Sequence, residues 1–76
     1  MDPSLIEPAI KSILAEILQR MVEVSRIARA ADACAQAGSV DEGVSVSMEL
    51  EQIFYEASRL QDAASLLKRL SSGRSL

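Results

Sequence analysis

Few groups in this chain could carry chemistry. There is one thiol, Cys34, and no histidine. A nucleophilic cysteine needs a base to take its proton, and none stands near it. Its nearest charged neighbour in sequence, Asp32, brings the wrong sign of charge for a reactive thiolate. Cys34 lies among alanines and reads as a small buried hydrophobe. Asp41 with Glu42, and Glu49 with Glu51, are the paired acids. General acid–base work or a hard cation would need carboxylates that face each other. Near neighbours on a helix point apart, and the spacing matches no calcium loop. These acids read as a solvated helix start.

The other chemistries fail on inventory. One cysteine without histidine cannot build a zinc or iron–sulfur site. The three glycines stand at 38, 43 and 73, so no glycine-rich phosphate loop exists. Arg20, Arg26 and Arg29 are the nearest approach to a basic patch, but Glu16, Glu23 and Asp32 are interleaved with them. Lys68-Arg69-Leu70-Ser71 has the form of a basophilic kinase site. A phosphate on Ser71 would set negative charge at a helix C-terminus and destabilise that end. No cofactor, metal, small-molecule substrate or enzymatic activity is expected.

Composition narrows the partners. The chain has 76 residues, 8 basic and 11 acidic, for a net charge of −3. That balance argues against nucleic acid and against anionic lipid. No apolar run approaches the roughly 18–20 residues of a membrane span. The N-terminus, Met1-Asp2-Pro3, has an acid where a secretion signal would carry a base. A free cysteine without a mate suits a reducing compartment. A cytoplasmic location is expected, with the nucleus as the variant.

These residues must be positioned by helices. From Ile10 to Ala35, apolar residues recur at steps of four and three: Ile10, Leu14, Ile17, Met21, Val24, Ala28, Ala31, Ala35. A second stretch answers it: Val46, Leu50, Ile53, Ala57, Leu60, Ala64, Leu67. The pattern predicts an all-α fold, an antiparallel hairpin of two long amphipathic helices. The first helix spans about 5–37 and the turn about 38–45, and the second helix runs to about 70. The second helix starts either at Val40 or near Val46; the early start is preferred, with an irregular turn at Gly43. Residues 71–76 form a flexible tail, and 1–76 is a single domain.

The helix ends carry their own signals. Asp2 before Pro3 is a helix start, with Ser4 and Glu7 as a competing capping box. Pro8 should loosen the first turn. Gly38 suits the left-handed residue after the first helix. Ser39 with Glu42 repeats the capping-box pattern. Small residues near the turn predict convergence there and splaying at the open end. No polar residue interrupts the stripe, so register should rest on shape.

The hairpin core is expected to hold Ile10, Leu14, Ile17, Met21, Val24, Ala28 and Ala31 of the first helix. Leu50, Ile53, Phe54, Ala57, Leu60, Ala64 and Leu67 should face them. A second apolar row stays uncovered, and Ile6, Ile13, Leu18, Val22 and Ile27, with Tyr55 from the second helix, are the expected protein interface. Leaving several such side chains in water forfeits multiple kcal/mol, at about 25 cal/mol per Å². A four-helix bundle would close the row, completed by dimerisation or by a partner's helix. The build resembles small hairpin-dimer regulators and the small acidic helical chaperones of bacterial secretion systems, with no shared motif. The expectation is a non-enzymatic protein–protein interaction module: an adaptor, assembly subunit or chaperone. Its partner is itself or another protein. The alternative is a hairpin dimer that regulates by binding nucleic acid through Arg26 and Arg29.

Overall fold

The computed structural model describes residues 3–72. Three helices follow one another: α1 Pro3–Gln36, α2 Val40–Ser47 and α3 Leu50–Ser71, with no strand among the described residues. Packed against α1, α2 and α3 form the returning arm of a helical hairpin. The expected helix start at Asp2 and the tail beyond Ser72 lie outside the described residues. Pro8 sits inside α1, where it has no N–H to give the helix.

The turn is made by backbone. Gly38 has φ +95°, a conformation in which a Cβ would clash with the backbone. Its N–H donates to the Ala35 carbonyl at 3.0 Å, and the Ser39 N–H donates to the Cys34 carbonyl at 2.8 Å. These two bonds are a Schellman closure, which satisfies the last carbonyls of α1. Ser39 then stands at the N-cap of α2, but its side chain makes no capping hydrogen bond. The capping-box expectation there does not hold. Asp41 and Glu42 in the first turn supply the matching charge.

The returning arm does start at Val40, yet the irregularity is not at Gly43. Gly43 is helical and buried. A Cβ built on it would lie 2.7 Å from the Ala31 carbonyl oxygen, so only glycine lets the two backbones come this close. The break falls at Met48 and Glu49. Both remain right-handed, but the Glu49 and Glu51 N–H groups reach back three residues, to Val46 and Met48. The path tightens from α to 3₁₀ for a turn. Ser47 contributes, because its hydroxyl donates to the Val44 carbonyl at 2.7 Å and competes with the helix ladder.

The seam of the hairpin differs from the expected stripe by one row. On α1 the buried and half-buried residues are Ile6, Ile10, Ile13, Ile17, Arg20, Glu23, Val24, Ile27, Ala31, Cys34 and Ala35. On the returning arm Val46, Leu50, Ile53, Ala57, Leu60, Ala64 and Leu67 are half-buried. Ile6 and Ile27, expected to be free for a partner, are 1 % and 6 % exposed. Ile13 is also drawn into the seam. Leu14, Met21, Ala28 and Phe54, expected in the core, are exposed. The reason lies in the width of the α1 face. Three adjacent rows are apolar, and the seam takes the two richest in isoleucine. The row left outside, Leu14, Met21 and Ala28, shrinks towards the turn and has less apolar area to bury.

Two further expectations fail with the shift. The open end is not splayed, since Ile6 there is the most buried side chain among the described residues. And the chosen row does contain a polar residue, Arg20. The hairpin spans 55 × 19 × 12 Å with a radius of gyration of 17.3 Å. A compact domain of this length would have a radius of about 11 Å. One layer of two helices covers few side chains completely, and stable domains are built from at least two layers.

Candidate protein-binding face

The two long edges of the seam differ in chemistry. On one flank, Arg20 leaves the seam and turns its guanidinium to the rim. Its Nη1 donates to Glu16 Oε1 at 2.6 Å, one turn earlier on α1. Its Nε lies 3.3 Å from Glu56 Oε1 on α3. That nitrogen is covered and has no hydrogen-bond partner. Gln52 Nε2 donates to the other Glu56 oxygen at 3.0 Å. The Arg20 pKa is raised, chiefly by the hydrogen bond to Glu16; desolvation opposes it, and the charges of Glu16 and Glu56 add to it. Arg20 therefore stays charged at any ordinary pH.

These contacts locate the other flank. Arg20, Glu16 and Glu56 meet on one side, so the rows beyond the opposite side of each helix share the other. On α1 those rows hold Leu14, Met21 and Leu18; on α3 they hold Phe54 and Gln61. The pairing of Arg20 with Glu56, and of Gly43 with Ala31, sets the register. Phe54 then falls level with Met21, and Gln61 level with Leu14. Leu18 is 62 % exposed and Phe54 50 %. Leu14, Leu18, Met21 and Phe54 thus form one contiguous apolar face, of the kind that marks association sites.

The expected interface residues are dispersed by this geometry. Ile6, Ile13 and Ile27 are in the seam. Leu18 alone stands on the apolar face. Val22 and Tyr55 are exposed, but they point away from the seam on the outer edges of α1 and α3. The Arg59 guanidinium lies over the Tyr55 ring, 5.4 Å from its centroid, and pairs with Asp62 at 2.7 Å. Phe54 and Met21 were legible as apolar residues at helical spacing, but that spacing placed them inside.

The remaining candidates hold little chemistry. Cys34 is half-buried beside Gly43. No group of three acids or thiols able to hold a metal occurs among the described residues. Asp41, Glu42, Glu49 and Glu51 are exposed at two different helix starts. Arg26 is paired with Glu23, and an open depression between Val22, Ser25, Arg26 and Arg29 lies on the outer edge of α1. Ser71 is the last residue of α3 and half-buried. Among the described residues no helix is long and apolar enough to cross a membrane. The chain matches no protein-family model, no curated protein and no solved structure.

Proposed function

We propose that the hairpin is a non-catalytic protein-binding module, an adaptor, assembly subunit or small chaperone. Its working surface is the apolar face of Leu14, Leu18, Met21 and Phe54. The observation that supports this reading is the exposure of that face in a chain with very little core of its own. Only Ile6 and Ile27 are buried apolar side chains among the described residues. Single cores in chains this short rarely supply more than about 3–5 kcal/mol. A second layer of helices on the open face adds the missing burial. The lack of histidine and the isolation of Cys34 favour binding over catalysis. The nucleic-acid alternative rests on Arg26 and Arg29, and Glu23 neutralises Arg26.

The test combines two measurements on the full chain. Light scattering on a sizing column gives its mass, and an anilinonaphthalene dye reports open apolar surface. The reading expects either assembly or a dye-binding monomer. A fully helical, concentration-independent monomer that leaves the dye dark overturns it.

A further inference from the structure

The apolar face carries an asymmetric rim. At the open end stand Lys11 on α1 and Lys68 on α3, with Glu7 as the acid beside them. At the turn end stand Asp32 on α1 and Glu51 on α3. All four of Lys11, Lys68, Asp32 and Glu51 are exposed, and none makes an ion pair among the described residues. The apolar residues lie between the two ends, with Leu18 and Met21 near the middle of α1.

We infer that a second copy of the chain covers this face, with its turn lying against the first copy's open end. The inference rests on the face being a protein-binding surface, and it names the occupant. Two symmetric arrangements would bury the same apolar residues. With both turns at one end, lysines meet lysines and acids meet acids. A two-fold axis across the middle of the face lays α1 on α1 and α3 on α3 of the copy, head to tail, so Lys11 approaches Asp32 and Lys68 approaches Glu51 of the other chain. Opposite charges at a rim select the orientation, and like charges exclude the alternative. The product is an antiparallel four-helix bundle.

Area points the same way. The hairpin exposes 5445 Å², whereas a compact chain of 8.2 kDa would expose roughly 4500 Å². The surplus of roughly 900 Å² matches the ~800 Å² that each partner buries in a stable interface. The two copies would hide the surplus without any change in the hairpin.

The experiment measures dimer dissociation by sedimentation at low salt, on the native chain and on charge variants of these exposed positions. The native chain is expected to be a dimer. Lys11→Glu with Lys68→Glu should raise the dissociation constant about tenfold, the sum of several rim pairs. Adding Asp32→Lys and Glu51→Lys to the same chain should restore it. Orientation is read separately in a Cys34→Ala background with a short bis-maleimide. A mixture of Lys11→Cys and Asp32→Cys chains should cross-link between unlike chains. Cross-linking of Lys11→Cys chains to Lys68→Cys chains instead, which needs both turns at one end, overturns the arrangement. So does a charge-reversed double variant that dimerises as well as the native chain. A helical monomer that binds the dye overturns the second copy as occupant but leaves the binding-module reading standing. A helical monomer that leaves the dye dark overturns both.

Discussion

The two flanks of the seam solve the same problem in opposite ways. Each is a groove where α1 meets α3, and each exposes the edge of a thin core. One is sealed by Glu16, Arg20, Gln52 and Glu56, whose charged ends stay in water while their stems cover the seam. The other is lined by Leu14, Leu18, Met21 and Phe54, which have no polar end to offer water. Around Arg20 the polar flank leaves little apolar surface open. An apolar flank needs another surface. At mid-hairpin the two flanks therefore differ in chemistry, and a partner on the apolar one is the reading proposed above; Leu66 and Leu70 also stand exposed further along the rows of Gln52 and Glu56.

The largest expected effect comes from making the apolar flank polar. Leu18→Asp with Met21→Asp places two charges where a partner would exclude water, without touching the seam. Assembly should be lost altogether, and helicity should fall on dilution to levels at which the native chain remains folded. Circular dichroism at several concentrations, with the mass measured alongside, checks this. Unchanged mass and unchanged helicity would mean that the face is not where the chain associates.

The converse substitution makes the polar flank apolar. Glu16→Leu with Glu56→Leu removes both carboxylates that hold Arg20 and gives the hairpin two sticky faces. Closed assembly should give way to open-ended association, since each unit can now be covered on both sides. Light scattering should show masses that rise with concentration. A product of fixed mass would show that the polar flank does nothing to limit growth.

A smaller effect is expected at Gly43, which sets the spacing of both flanks at the turn end. Helix propensity alone favours Gly43→Ala by about 1 kcal/mol. The new methyl would meet the Ala31 carbonyl oxygen at 2.7 Å, and overpacking of this sort costs about 1–3 kcal/mol. The net result should be a lower melting temperature, read by circular dichroism. A rise would mean that α2 can move away from α1 at little cost.

What was legible in the sequence follows from how unambiguous each face is. The returning arm has one apolar stripe with Gln61 and Lys68 beside it, so Leu50, Ile53, Ala57, Leu60, Ala64 and Leu67 could be placed from spacing alone. Phe54 was misplaced because an apolar residue bordering a stripe has no mark of its own. On α1, three apolar rows stand side by side, and periodicity cannot say which two turn inward. That depends on the facing helix, which is tertiary information. The Schellman turn was legible because Gly38 has a local reason to be there. The tightening at Met48 was not, because it depends on how Ser47 and the ladder share carbonyls.

Arg20 bears on that choice of rows, and its replacement should change stability least. The outer two apolar rows of α1 give alternative seams that share the row of Ile10, Ile17, Val24 and Ala31. Only in the observed seam does Arg20 reach Glu56. In the alternative, α1 would turn Leu14 and Met21 inward and carry Arg20 away from α3. Replacing Arg20→Met removes the charge and fills the row with a flexible apolar side chain. Apolar replacement of a paired charge is often neutral for stability, so the melting temperature should hardly move. Uniqueness should suffer instead, because both seams would then be apolar throughout. Amide resonances of α1 in an NMR spectrum should double or broaden, while Arg20→Lys, which keeps the charge, should leave them single. Sharp, single resonances for Arg20→Met would mean that isoleucine packing by itself selects the seam, and that the polar flank follows from the packing without directing it.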